Sequence, residues 1–370
     1  MRELLQIMME NKCSDLHVTV GVPPIFRKDG RLIPVQELQT AAGEYLLNQQ
    51  KTLDLAKAIT PPDKWDVLEE KGEVDFSHSQ PGLGRFRVNT YRQRGCIGLA
   101  IRAIPLEVPS FDSLNLPEVI STFSRKPNGL VLVTGPTGSG KSTTLAALID
   151  LINREKSCHI ITLEDPIEYM HQHKKSIINQ REVGFDTKSF ANALRAALRQ
   201  DPDVILVGEM RDLETIEIAL KAAETGHLVF ATLHTNSAVQ TIDRIVDVFP
   251  AEQQQQVKVQ LASVLCGIVS QRLLPLVGGG RTAAQEILIS NQAVRSLIRE
   301  GKTHQIFSIL QTSKKEGMIT FEKSLKNLLQ QGKITLQTAL QELPDDEELR
   351  SNKAGLGNLS SDDLYNSELM

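Results

Sequence analysis

The chain has 370 residues, of which 41% are hydrophobic and 23% charged. That balance excludes wholesale disorder and the fibrous classes, and the length exceeds what one core usually supports, so at least two domains are expected. The net charge of −4 comes from the C-terminal end, where residues 344–370 set Asp345, Asp346, Glu347, Glu348, Asp362, Asp363 and Glu368 against Arg350 and Lys353. The remainder is close to neutral, so no bulk field draws in nucleic acid or anionic lipid. The cysteines at 13, 96, 158 and 266 form no CxxC, which fits a reducing compartment and no metal framework. Glu3 and Glu10 interrupt the apolar N-terminal stretch, so no signal peptide is expected. The most apolar long stretch, 257–277, contains Lys258, Gln260, Ser263, Gln271 and Arg272, too polar to span a bilayer. The expected location is cytoplasmic.

Residues 1–110 read as a small α+β unit. A helix over 4–9 precedes an alternating strand, Leu16-His17-Val18-Thr19-Val20, and a turn at Gly21-Val22-Pro23-Pro24. Asp29-Gly30 marks a hairpin tip, because this pair tolerates the positive φ of a two-residue turn. Further strands are expected over 85–91 and 97–104. Between Ser77 and Leu106 there is no acid, yet Arg85, Arg87, Arg92, Arg94 and Arg102 are present, which by itself reads as a solvated strand face. Pro109, Pro117 and Pro127 mark a boundary, with 111–128 as a linker.

From Gly129 the pattern changes. Leu130–Val133, Ile160–Leu163, Val204–Val207 and Leu228–Thr232 are short continuous apolar runs, which suit strands covered on both faces of a sheet. Between them, Phe190, Ala193, Leu194, Ala197 and Leu198 make one apolar stripe at helical spacing. The expected class is a doubly wound α/β domain. Residues 270–289 read as a hairpin with Gly278-Gly279-Gly280 at its tip, 290–343 as helices, and 344–370 as an acidic, disordered tail.

Gly135-Pro136-Thr137-Gly138-Ser139-Gly140-Lys141-Ser142 matches G-x-x-x-x-G-K-[ST] in full. It follows an apolar strand and opens a helix over 143–152, the context that gives the motif meaning. Glycines let backbone N–H groups converge on phosphate oxygens, and the helix N-terminus adds positive potential. Lys141 is expected to reach the β- and γ-phosphates and the Ser142 hydroxyl to sit on Mg²⁺, with Thr143 next to it in the binding loop. Two further strands end in acids, Glu164-Asp165-Pro166-Ile167-Glu168 and Gly208-Glu209. In a doubly wound sheet, ligands gather at the carboxyl ends of strands, so both clusters are expected to face the triphosphate, holding the metal through water and activating an attacking water. His234 ends the strand beginning after His227 and is expected beside the site; His227 lies at the opposite end.

At these residues the sequence resembles the secretion and type IV pilus ATPases, and within them the pilus retraction branch, over roughly residues 1–340. The motifs are SDLH at 14–17, GPTGSGKST at 135–143, LEDPIE at 163–168, DPDVILVGEMRD at 201–212 and TGHLVFATLHT at 225–235, standing for the family's Walker A, Asp box, Walker B and His box. The resemblance implies a PAS-like N-terminal domain and a RecA-like ATPase domain over 129–343, assembled as a homo-hexameric ring. It implies ATP and Mg²⁺ as cofactors, Glu168 as general base, and Glu209 as the Walker B carboxylate that with Ser142 holds Mg²⁺, directly or through water. It places His227 and His234 in nucleotide sensing, and has Arg87 and Arg102 reach ATP across a domain or subunit boundary. The implied partner is an inner-membrane pilus platform protein, with the motor peripheral at the inner face of the cytoplasmic membrane and not inserted. Ala293–Ile298 stands where the retraction branch has AIRNLI, with Val294 and Ser296 departing, and the tetracysteine metal site of many assembly-type relatives is absent. An accessory retraction ATPase or a type II secretion or competence ATPase would keep the same motifs. A RecA-like DNA translocase is the competing reading; the near-neutral charge and the lack of an aromatic-studded basic groove count against it.

Overall fold

The computed structural model describes residues 1–28, 30–38, 46–105 and 107–350. The chain divides into two compact units, one of Met1–Val108, Glu164–Gln172 and Gln180–Ser189, the other of Pro109–Leu163, His173–Asn179 and Phe190 onward.

The first unit carries helix α1 (Arg2–Glu10), strands β1 (Asp15–Val18), β2 (Ile25–Lys28) and β3 (Arg31–Pro34), helices α2 (Gln49–Lys57) and α3 (Pro62–Lys71), and strands β4 (Glu73–Gln80), β5 (Gly84–Gln93) and β6 (Cys96–Ile104). Among the described residues these strands form one antiparallel sheet in the order β3-β2-β1-β6-β5-β4. Lys28 pairs with Arg31, as the expected tip requires; Asp29 itself lies outside the described residues, as does Leu106. Period-two alternation sends Phe86, Val88 and Thr90 of β5 inward with Phe26, Leu16 and Ile101. It turns Arg85 and Arg87 to the other face. There Ser77, Arg87, Arg102, Asp15 and Arg27 stand opposite one another across five neighbouring strands. Helices α2 and α3 and strand β4 went unread in the sequence. Pro62 at the first turn and left-handed Gly72 at the end were the legible signs of α3.

The second unit continues with α4 (Glu118–Ser124), β7 (Gly129–Thr134), α5 (Lys141–Glu155), β8 (His159–Glu164), β9 (Ile177–Glu182), α6 (Phe190–Ala197) and β10 (Val204–Val207). Then follow α7 (Leu213–Glu224), β11 (Leu228–Leu233), α8 (Ala238–Asp247), α9 (Ala251–Val264), β12 (Leu265–Pro275), β13 (Arg281–Ile289), α10 (Gln292–Glu300), α11 (Ile306–Thr312), α12 (Phe321–Gln330) and α13 (Leu336–Glu342). Its sheet runs β13-β12-β7-β11-β10-β8-β9, with β12, β7, β11, β10 and β8 mutually parallel. Every residue of β7 is buried. Leu130 and Leu132 join the core under α6 to α9, while Val131 and Val133 join the core under α4 and α5. A strand covered on both faces has no polar side to show, hence its continuous apolar run. The Ala193, Leu194 and Ala197 stripe of α6 packs into the first of these cores.

Two expectations are corrected. The proline-rich stretch 111–128 holds a helix, α4, whose Ile120 and Phe123 are buried. Phe123 seats on β12 at Gly267, where a Cβ would meet the ring. The acidic tail does not leave the fold at Pro344. Leu349 is buried among Leu325, Ile334 and Ala339, and Lys326 of α12 binds Asp346 at 2.8 Å, Glu348 at 2.7 Å and Glu322 at 2.9 Å. One ammonium gathers three acids, so composition alone misjudged 344–350; residues 351–370 lie outside the described residues.

Hydrogen bonds from Lys326 and from the Leu349 backbone N–H hold the Asp346 carboxyl below the ordinary aspartate range. Docking of 344–350 is therefore at full strength above that range and is lost as pH falls through the lowered value. Lys326→Met is expected to weaken this pH dependence and raise amide exchange at Leu349; unaltered exchange would contradict it.

Candidate active site

The phosphate loop leaves the carboxyl end of β7. Because Thr134 pairs with Leu233, Ala231 with Val207 and Val207 with Leu163, Gly135, His234 and Gly208-Glu209 leave the sheet at one edge. Strands β7 and β10 are two apart, roughly 10 Å at the usual interstrand spacing. Pro136, Thr137 and Gly138 are exposed, Ser139 is buried, and Gly140 and Ser142 are half-buried. Gly135 has φ 143°, and a Cβ there would strike the Gln271 carbonyl, so the turn into the loop excludes side chains. Lys141 is 9% exposed. Its Nζ donates to the carbonyl oxygens of Gly135 at 2.8 Å and Pro136 at 3.0 Å. The ammonium is thus aimed back into the loop at the N-terminus of α5, where anions are favoured.

What fixes this loop carries no signature in the sequence. Gln271 of β12 is buried; its Nε2 donates to the Ser139 carbonyl at 2.8 Å and its Oε1 accepts from the Thr144 hydroxyl at 3.0 Å. One amide therefore ties loop and helix to the neighbouring strand. A buried glutamine carries no motif, and only the parallel pairing of β12 with β7 brings it there.

Glu209 is half-buried. Arg211 Nε lies 2.5 Å from its Oε1 and His234 Nε2 3.2 Å from the same oxygen. Burial pushes the carboxyl up, but the hydrogen bond from Arg211 and the charges of His234 and Arg211 outweigh it and hold it below the ordinary glutamate range. The Thr232 hydroxyl donates to the Gly208 carbonyl at 2.5 Å and the Met210 N–H to the Thr232 carbonyl at 3.0 Å, which fixes the chain on either side of Glu209. The structure thus brings Glu209 and His234 together. His227 stands at the amino end of β11, its Nδ1 at 2.9 Å from the Ala222 carbonyl, roughly 20 Å along the strand from the phosphate loop of its own chain.

The remaining candidates belong to the first unit. Glu168 is exposed, within the 164–172 segment. Arg87 is exposed with no ion-pair partner among the described residues. Arg102 pairs with Asp15, Nε to Oδ1 at 2.8 Å. Burial opposes ionisation of Asp15, yet hydrogen bonds from Arg102 and Ser14 carry its pKa below the ordinary value.

Gln271→Leu leaves the Ser139 carbonyl and the Thr144 hydroxyl buried without this partner, a cost of about 1–3 kcal/mol for each. Nucleotide affinity is expected to fall about tenfold, equivalent to ~1.4 kcal/mol, with a lower Tm; calorimetric titration and thermal melts showing wild-type values would refute the clamp.

Residues 2–342 match the model of the type II/IV secretion system protein family. The chain is 49% identical over 343 residues to the type IV pilus retractation ATPase PilT of Pseudomonas aeruginosa, covering 91% of this chain and 96% of that protein. It is 53% identical over 284 residues to a twitching motility protein of Neisseria gonorrhoeae, 76% of each chain. A crystal structure of the pilus retraction motor PilT with bound ADP superposes with a TM-score of 0.86 at 52% identity, covering 94% of this chain and 98% of that one. The fold is therefore that of a RecA-like secretion ATPase with an N-terminal domain, and the chain belongs to the type II/IV secretion system protein family, among its pilus retraction ATPases.

Proposed function

We propose that this chain is an ATP-hydrolysing motor that powers type IV pilus retraction, and with it twitching motility, as a homo-hexameric ring. The observation that carries the reading is the Lys141 ammonium, buried at the mouth of α5 and held by two loop carbonyls. A triphosphate can take those carbonyls' place, exchanging neutral acceptors for charged ones. The Gly135–Ser142 backbone and Thr143 then cradle the phosphates.

Ser142 and Glu209 suit Mg²⁺, which takes one or two protein oxygens and keeps phosphate and water for the rest. When bound, that ion neutralises charge between the β- and γ-phosphates. Glu209, kept ionised by Arg211 and His234, is a ready acceptor at neutral pH. Glu168 orients and deprotonates the attacking water. Arg87 and Arg102, from the same chain or a neighbour, offset charge on the γ-phosphate. His234 reports the state of the site through its contact with Glu209, and His227, remote within its own chain, serves the ring contacts. Hydrolysis releases the arginine clamp, and the PAS-like first unit and the RecA-like second unit rotate relative to each other.

The ring passes that motion to an inner-membrane platform protein, from a peripheral position on the cytoplasmic face. No helix among the described residues is long and apolar enough to cross a membrane.

Lys141→Ala is expected to cut turnover by about a hundredfold or more and to fail to restore twitching in a strain lacking its own retraction motor, where the unaltered chain restores it. Glu168→Gln is expected to lower turnover by about 10²–10⁴ while ATP stays bound. Wild-type steady-state hydrolysis by either variant ends this account of the site. Arg87→Ala and Arg102→Ala are each expected to slow hydrolysis in the assembled ring without weakening ADP binding; full activity in both removes the arginine role.

A further inference from the structure

We propose that Glu182 is a positioning residue for the general base, latching the backbone beside Glu168 to the sheet that carries Arg87 and Arg102. The inference deepens the reading above and rests on Glu168 being the base. Glu182 ends β9, and all the groups it binds belong to the first unit. It is 5% exposed, yet three segments converge on its carboxylate. Oε1 accepts from the Ser77 hydroxyl of β4 at 2.5 Å. Oε2 accepts from Arg85 Nη2 of β5 at 3.0 Å and from the backbone N–H of Ile167 at 3.1 Å. The Glu182 N–H in turn donates to Asp186 at 2.8 Å, and the Arg85 guanidinium lies over the Phe185 ring, 5.7 Å from its centre.

Ile167 immediately precedes Glu168 and is itself buried. Arg85 and Arg87 lie two residues apart on β5, hence on one face of the strand. A single carboxylate therefore joins the residue before the base to the strand that bears a candidate γ-phosphate arginine. A buried, charge-assisted hub of this kind is stiff, because losing one member leaves the others buried and uncompensated. The consequence is mechanical. Base and arginines belong to one body, whereas Lys141, Ser142 and Glu209 belong to the other. Any motion of the first unit therefore carries Glu168 and the arginines of the same chain together.

The test uses the full chain. Glu182→Gln keeps the shape but turns one acceptor oxygen into an NH₂ facing donors. Hydrogen exchange without nucleotide should show the Ile167 amide losing protection at least tenfold, with the amides of β7 unaffected; retained protection overturns the latch and does not depend on the role of Glu168. Turnover should fall at least tenfold while ADP affinity stays within twofold. A loss of affinity equal to the loss of turnover would mark a general structural defect and also overturn the proposal. In a Glu168→Gln background, Glu182→Gln should lower turnover no further, because it acts through the missing base; a full additional loss refutes it. Should Glu168→Gln alone leave turnover unchanged, the base assignment fails, and the exchange data still decide the latch. If Glu182→Gln does not fold, Ser77→Ala removes one donor and is expected to give the same split in weaker form; wild-type exchange and turnover in that variant refute the latch.

Discussion

A buried ammonium turned back onto the carbonyl oxygens of its own loop is the constraint on which this molecule turns. Lys141 can sit where it does only because α5 begins there, the loop bends back over it, and Gln271 ties that loop to the next strand. Each requirement reaches further into the fold. The helix start needs β7 to stop at Thr134, the bend needs Gly135, and the tie needs β12 parallel to β7. Covering β7 on both faces leaves no slack in that arrangement, because its odd and even residues are committed to different cores. Packing density on this scale transmits small displacements instead of absorbing them, as a site that drives mechanical work requires.

The residues proposed for the chemistry divide between the two units. Lys141, Ser142 and Glu209 stand on the second unit, while Glu168, Arg87 and Arg102 stand on the first, although Glu168 follows a strand of the second unit's sheet by only four residues. The chain accomplishes this by crossing from one unit to the other more than once between Leu163 and Phe190. A reader of linear boundaries would assign the whole acid-rich motif to the nucleotide-binding domain.

What the sequence disclosed followed physical necessity. Doubly covered strands must be apolar throughout, so β7, β8, β10 and β11 stood out as runs. A loop that wraps phosphate must carry glycines and a lysine in fixed order, so residues 135–142 identified themselves. Helices that bury little did not: α2 buries only Thr52 and Ala56, and α3 only Leu68, too narrow a stripe to read. Gln271, Glu182 and the Lys326 cluster escaped for a different reason. Their long-range partners lie between 15 and 132 residues away in sequence, and nothing local distinguishes a glutamine or glutamate that will be buried from one that will be solvated. His234 and His227 flank the same strand, and only the direction of that strand separates a residue touching Glu209 from one at the far edge.

The pairing of Arg102 with Asp15 bears on how a clamp can be both ready and reversible. An exposed ion pair stabilises by no more than about 1 kcal/mol, and this guanidinium is still 69% open to water. On the proposed reading, Asp15 acts as a berth. It holds the side chain by its Nε, so part of the rotamer entropy is already lost when a more highly charged anion arrives. The same weakness lets the arginine return once phosphate departs. Ionic strength then acts on both moorings at once, and salt that loosens the grip on nucleotide also loosens the competing hold of the aspartate.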